Sequence, residues 1–478
     1  MSSERPNILW ICSDQQRYDT IHALGNEHIQ TPNIDRLCAE GVAFTHAHCQ
    51  SQICTPSRSS FLTGLYASTV HGSRNGNAYF PANERVQLIT KRLADSGYDC
   101  GLSGKLHIAS AWDGEEPRVD DGYRQFWYSH SHNQGINNGN QYTTWLTDNG
   151  IDLGDVFQTK KDGSHGNFRP NMNPDHHQTT WCADRAIEFI NESRNDPWLM
   201  SVNMFDPHGP FDCPDSHKNR YTPSELPSPL FRESDLEIQS NLKRYLNGKG
   251  GTPPGEREQN NIASYYGMIS LIDDNVGRMI NALEQTGQRK NTVIIFMSDH
   301  GELLGDHGLT GKGCRFYECL VRVPLIISWP GHFLQDHRAT GLVGLIDIAP
   351  TLAELAGVTL DWTHGKSLMP ILTGNHPGDQ HHESLRCEYY DVVDKYAPDR
   401  SEQHEPCWGT MFRKDQYKLV VYHGEKLGEL YDLQEDPDEF NNLWNDPSYL
   451  ELKLDLIKQN FDDTVITADP GPVRIGRY

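Results

Sequence analysis

Short apolar runs that stop abruptly in polar residues alternate along the chain with amphipathic stretches. The first, "NILWICSD", ends in Asp14, the pattern of a buried parallel strand whose C-terminal end opens on a crevice. "TPNIDRLCAEG" then reads as a helix, with Thr31 as N-cap, Pro32 at the first helical position and Gly41 as stop. "NERVQLITKRLADSG", from Asn83 to Gly97, repeats that grammar, and "YDCGLSGKLH" reads as a strand running into Lys105 and His107. The alternation continues through helix "TTWCADRAIEFINES", strand "WLMSVNMFDPH", a long helix from about Asn260 to Gln285 and strand "TVIIFMSDHGE". This order predicts an α/β fold with a large, mainly parallel sheet flanked by helices.

Two tracts break the rhythm. From about Gly114 to Asn173 the chain is rich in His, Asn, Gly, Trp and Tyr with little periodicity, the character of an irregular insertion that lines a binding site. Periodicity lapses again near "LTGNHPGDQHHESL". Beyond it, "TMFRKDQYKLVVYHG" and "GELYDLQEDPDEFNNLW" read as strands of a small antiparallel sheet, closed by a helix from about Pro447. At 478 residues the chain exceeds what one hydrophobic core supports. It is therefore read as a larger domain over residues 1–375 and a C-terminal α+β subdomain over residues 376–478.

Composition narrows the setting. No apolar run approaches the roughly 20 residues that span a bilayer, and the start "MSSERPNILW" lacks a signal-peptide core, so a cytoplasmic protein without a membrane partner is expected. The eleven cysteines are odd in number and scattered, with no Cys-x-x-Cys pair, which fits reduced thiols better than a disulfide framework or a structural zinc site. A formal net charge of −23 argues against nucleic acid as a partner. An anionic substrate would need a local cationic pocket.

The chemically suggestive residues Asp14, Lys105, His208, Asp299 and His300 fall at the same ends of the predicted strands, the edge at which open α/β sheets bind ligands. "CTPSRSSFLTG" adds Cys54 at the start of a predicted helix, where unpaired N–H groups attract an anion and lower a thiol's pKa. That arrangement suggests a nucleophile beside an anionic substrate. It is not a cysteine phosphatase: counting from Cys49, the arginine such an enzyme needs would fall at Thr55.

Cys54, Pro56 and Arg58, followed by Leu62-Thr63-Gly64, resemble the signature of the formylglycine-dependent type I sulfatases of the alkaline phosphatase superfamily. "SDQQ", "GKLH", "DPHGPF", "SDHGE" and "GKG" stand in the family's order over nearly the whole chain. The resemblance implies that a formylglycine-generating enzyme reads Pro56 and Arg58 and oxidises Cys54 to formylglycine, which is hydrated to a geminal diol. One diol hydroxyl attacks the ester's sulfur; loss of the other's proton then expels sulfate. It also implies one divalent cation held by Asp14, Gln15, Asp299, His300 and residue 54. Many sulfatases have Asp where Gln15 stands and Asn where His300 stands. The set here is less anionic and slightly softer, so Ca²⁺ is expected first and Mn²⁺ second.

By the same resemblance, Arg58 orients the diol, Lys105 and Lys312 bind the sulfate, His107 serves as base, and His208 assists the leaving group with Lys312. His307 in "GDHG" is left between a role beside the site and scaffold. Asn75 in "GSRNG" is a substrate candidate, as are His130 and His132, which stand with Trp127, Tyr128 and Asn133 in a stretch that suits a sugar. The expected reaction is hydrolysis of a sulfate monoester, best a sulfated carbohydrate, to an alcohol and inorganic sulfate. The alternatives are an aryl or choline sulfatase, or a phosphonate monoester or phosphodiester hydrolase, whose branch "DQ" and "SDH" also resemble. Those phosphonate hydrolases carry uncharged hydroxyl residues in the stretch matching "GKLH". A binding protein that has lost catalysis is disfavoured by the intact motif set. The sequence leaves oligomeric state open, although the tail "TADPGPVRIGRY" has a composition that could serve packing in a homo-oligomer.

Overall fold

A computed structural model describes residues 5–75, 86–111, 116–131, 140–161, 165–242, 250–390 and 407–469. The central sheet has eight strands in the order His337–Ala339, Val42–Phe44, Leu325–Ser328, Thr292–Ser298, Asn7–Ser13, Trp198–Asn203, Asp99–Gly104 and Gln125–Tyr128. All neighbours are parallel except Leu325–Ser328, which runs antiparallel to both of its partners. The register is what places the chemistry. Ser13 pairs with Ser298 and Cys12 with Asn203, while Gly104 also pairs with Asn203. The residues that follow, Asp14, Asp299 and Lys105, therefore leave the sheet side by side.

Alternation along the central strand divides the core in two. Ile8, Trp10 and Cys12 pack on one face with Phe61 and Leu62 of helix Cys54–Thr63. Leu9 and Ile11 pack on the other with Ile272, Val276 and Met279 of helix Glu256–Gln285 and with Ala183, Ala186 and Phe189 of helix Gln178–Asn191. Among the described residues, no helix is long and apolar enough to cross a membrane.

Strands Ser384–Tyr390, Trp408–Lys414, Tyr417–Tyr422 and Gly428–Asp432 form an antiparallel meander, closed by helix Leu450–Ile466. Its two faces have different partners. Phe412, Leu419 and Leu430 pack with Leu456 of that helix, whereas Cys387, Met411, Val420 and Tyr422 join the cluster that holds Trp10 and Phe61.

The expected alternation of strands and helices is present, with local differences. Within the tract read as irregular, Gln125–Tyr128 forms the sheet's edge strand and Gln141–Asp148 a helix. The helix expected from Asn83 is observed over Ile89–Asp95, and residues 83–85 lie outside the described set. Thr31 does occupy the N-cap of helix Pro32–Ala39, but its hydroxyl donates to Asp35 instead of capping. The Asp273 carboxylate takes over, accepting from Asn33 and Ile34 N–H at 3.0 and 2.8 Å.

Candidate active site

The nucleophile candidate opens a helix buried along its whole length. Cys54 is the first residue of Cys54–Thr63, 1% exposed, and Asn75 Oδ1 accepts from Thr55 N–H at 2.8 Å, which satisfies one of the unpaired donors at that end. Asn75 thus has its carbonyl committed to the helix start. Around the sulfur, Lys312 Nζ donates to Sγ at 2.9 Å, His300 Nε2 lies at 3.3 Å and Asp14 Oδ1 at 3.7 Å. Burial and Asp14 push this thiol up, but Lys105, Lys312 and His300 outweigh them and hold it well below the ordinary thiol range.

The two carboxylates are held by the cations the sequence singled out. Arg58, one helical turn beyond Cys54, donates through Nε to Asp299 Oδ2 at 2.9 Å and approaches Asp14 Oδ2 at 3.5 Å. Lys105 Nζ donates to Asp14 Oδ2 at 2.5 Å. Burial pushes the Asp14 carboxyl up, yet Lys105, His208, Lys312 and Arg58 keep it well below the usual carboxylate range. Arg58, Lys105 and Lys312 thus stand around two carboxylates, a local cationic excess in an acidic chain.

Asp14, Cys54, Asp299 and His300 bring four ligand atoms within 4.8 Å of one another. His300 donates through Nδ1 to Gly301 O at 2.9 Å, which turns Nε2 toward the cluster, 3.2 Å from Lys312 Nζ. Gln15 has positive φ, its amide nitrogen is taken by Glu302, and its Oε1 is buried with no hydrogen-bond partner among the described residues. An orphaned amide oxygen beside two carboxylates is the donor set of a hard dication, so the residues fit the expected cation.

The flanking histidines are pushed down. Burial, with Lys105 and Arg58, pushes His107 well below its ordinary value, and burial with Lys312 takes His208 down to about 3. The His107 and His130 rings meet edge to face at 4.4 Å, and the buried His130 is also pushed down by burial and His107. His132 lies outside the described residues. His307 stands away from the cluster, stacked on Tyr317 at 3.8 Å with Nδ1 3.3 Å from Asp235.

Sequence reading missed Glu116. Its carboxylate accepts from the N–H groups of His107 and Ile108, each at 2.6 Å, and of Ala109 at 3.0 Å, fixing a turn in which His107 has φ 55°. It also missed Glu302, which accepts from the Gln15 amide as well as from Leu304 and Gly311 N–H. Glu116 carries no local motif and is defined by the loop that folds onto it, whereas Glu302 closes the "SDHGE" stretch, in which only Asp299 and His300 were given roles.

A cavity of about 410 Å³ opens onto this cluster, lined by Gln15, His208, Phe211, Arg257, Asn261 and Lys312 among others. A larger one, about 560 Å³ and bordered by Arg17, Tyr18 and His307, contains none of the clustered residues.

Residues 6–358 match the sulfatase family model, and residues 305–464 match the C-terminal region of N-sulphoglucosamine sulphohydrolase. The chain belongs to the sulfatase family. It is a sulfuric ester hydrolase with the alkaline phosphatase type of fold. This sulfatase is 32% identical over 500 residues to the multifunctional alkaline phosphatase superfamily protein PehA of Trinickia caryophylli, covering 94% of this chain and 93% of that one. It is 28% identical to an arylsulfatase of Clostridium perfringens, covering 95% and 93%. The phosphonate monoester hydrolase of Agrobacterium radiobacter superposes with a TM-score of 0.81 at 28% identity, covering 97% and 96%.

Proposed function

We propose that this sulfatase hydrolyses a sulfate monoester of a carbohydrate, through formylglycine at residue 54 and one divalent cation, Ca²⁺ before Mn²⁺. The observation that carries the reading is the Cys54 sulfur at a helix N-terminus, with Lys312 at 2.9 Å and His300 at 3.3 Å, facing Asp14. Formylglycine supplies a nucleophile with its own exit route, and the cation supplies charge for a sulfate oxygen. Asp14, Gln15, Asp299 and His300 hold that cation. Lys105 and Lys312 neutralise the sulfate oxygens, and Arg58 locks both carboxylates in place.

His107, neutral and buried, is the base for the nucleophile's proton. His208 and Lys312 share the wall of the open cavity, the side from which the alcohol leaves. Bound sulfate adds negative charge there, which moves the His208 imidazole back up and lets it deliver a proton to the departing oxygen. The cavity's amide, aromatic and guanidinium groups, and the match of the C-terminal region to a sugar sulphohydrolase family, support a carbohydrate as that alcohol.

Two measurements test the proposal. Protein made together with a formylglycine-generating enzyme is expected to carry an aldehyde at residue 54 by peptide mass spectrometry; only unmodified thiol in fully active protein would overturn the mechanism. Across sulfated mono- and disaccharides, aryl sulfates and matching phosphonate esters, kcat/KM is expected to be highest on a saccharide sulfate. The likeness to a phosphonate monoester hydrolase favours that activity as the second reading, and equal or better turnover of the phosphonate would install it. Replacing Lys105 and His107 by hydroxyl residues is expected to shrink the preference for sulfate by about 10²–10³.

A further inference from the structure

Away from the reaction centre, Asp347, His381 and His382 bring three ligand atoms within 4.8 Å of one another. Asp347 is fully buried, and the backbone fixes its carboxylate: Gly344 N–H donates to Oδ2 and Lys366 N–H to Oδ1, both at 2.8 Å. Two imidazoles converge on the remaining lone pairs. His382 Nε2 lies 2.9 Å from Oδ1 and 3.0 Å from Oδ2, so this ring alone spans both oxygens. His381 Nε2 is left over. It stands 3.4 Å from Oδ2 on a side chain only 10% exposed, and it makes no hydrogen bond among the described residues. Within ion-pair reach of the carboxylate but off the hydrogen-bond geometry that His382 already takes up, this nitrogen is placed to share a cation with Asp347 and His382.

We propose that Asp347, His381 and His382 hold a divalent transition-metal ion, zinc before others, at a site separate from the Asp14–Asp299 centre. Two neutral imidazoles and one carboxylate leave a net charge of −1 and a borderline-soft donor set, which suits zinc and disfavours calcium. Ligand atoms about 2.0–2.2 Å from such an ion stand roughly 3–3.5 Å apart, and the separations from carboxylate oxygen to imidazole nitrogen run from 2.9 to 3.4 Å. The two backbone N–H donors on Asp347 orient it as supporting hydrogen bonds orient a metal ligand. The absence of Cys-x-x-Cys pairs does not bear on this site, whose donors are Asp347, at the end of the helical turn Leu345–Asp347, and the adjacent His381 and His382.

The ion's role is to pin. His381 and His382 stand one residue before strand Ser384–Tyr390, the entry to the C-terminal sheet. Lys366 follows His364 and Gly365, whose N–H groups donate to Gly64 O at the end of the nucleophile helix, at 2.9 and 3.2 Å. A metal here ties the small sheet to the far end of the helix that begins at Cys54.

The test uses the full chain, stripped with chelator and titrated with Co²⁺ alone. A visible d–d absorption band is expected, and His381→Gln and His382→Gln should each weaken Co²⁺ binding about tenfold or more, while Asp299→Asn leaves the band intact. Circular dichroism checks that each variant is folded. A band that survives both histidine changes and disappears with Asp299→Asn assigns the ion to the reaction centre and overturns the proposal, as does the absence of any band. Crystals of the unaltered chain soaked in Zn²⁺ need no variant: an anomalous peak between the three side chains is expected, and a blank there overturns the site.

Discussion

Glu116 shows how much of this site depends on a residue that never meets substrate. Glu116→Gln keeps the shape but turns an NH₂ toward the His107 N–H, leaving a buried donor unsatisfied at a cost of about 1–3 kcal/mol. The expected result is a fall of about tenfold or more in kcat with bound cation unchanged, measured by kinetics and elemental analysis. Burial holds this carboxyl up to about 7, against an ordinary 4.5, with the three backbone N–H groups opposing. The retained proton therefore favours the folded chain; that contribution is full below pH 4.5 and is lost as pH rises through about 7. Melting temperature measured across that window should flatten in Glu116→Gln. For the cation, Asp299→Asn is a better probe than Asp299→Ala, because Arg58 is completely buried on this carboxylate and removing its partner outright costs about 3–5 kcal/mol. The Asn variant should lose bound cation and activity while circular dichroism stays native; full occupancy would remove Asp299 from the ligand set.

Elements were legible where hydrophobic pattern and burial agree. The runs ending at Ser13 and Ser298 are buried throughout, so apolar composition alone announced them, and parallel register then forced Asp14 and Asp299 together. Gln125–Tyr128 was missed because this edge strand is half-buried and aromatic, with no alternation to read. Leu325–Ser328 looks like any other buried strand, and nothing in three apolar residues and a serine encodes that it runs antiparallel. The nucleophile helix has no exposed face and is buried with its serines, threonines and arginine, so its motif identified it and its periodicity did not. Helix Glu256–Gln285 was legible as a long helix, but the role of its first turns was not. Arg257 and Asn261 line the cavity mouth, and Arg257 is exposed and paired with Glu258. If its guanidinium meets a second anionic group on a saccharide, Arg257→Ala raises KM for a disulfated sugar about fivefold with kcat nearly unchanged. An equal effect on a neutral aryl alcohol's sulfate would show that the contact is not charge-specific.

At the scale of the whole molecule, the C-terminal sheet is part of the catalytic body. Lys418, on strand Tyr417–Tyr422, is completely buried, bonded to Glu318 at 3.1 Å and to Glu439, and donates to Phe316 O at 2.8 Å. Glu318 opens the short helix Glu318–Val321, and Gly301 and Glu302 donate their N–H groups to Leu320 O and Cys319 O within it. The chain of contacts ends one residue from His300. Lys418→Met strands two buried carboxylates and is expected to lower stability by about 3–5 kcal/mol, read as a lower midpoint in urea; an unchanged midpoint would uncouple the two sheets. Completion of the site is also an event in time. Cys54 is synthesised early, yet Asp299, His300 and Lys312 close over it from the far half of the chain, and long-range parallel pairing of that kind forms slowly. An enzyme that has to enclose the Cys54 segment to carry out the proposed oxidation is therefore expected to act on the growing chain, before strand Thr292–Ser298 docks and the door shuts.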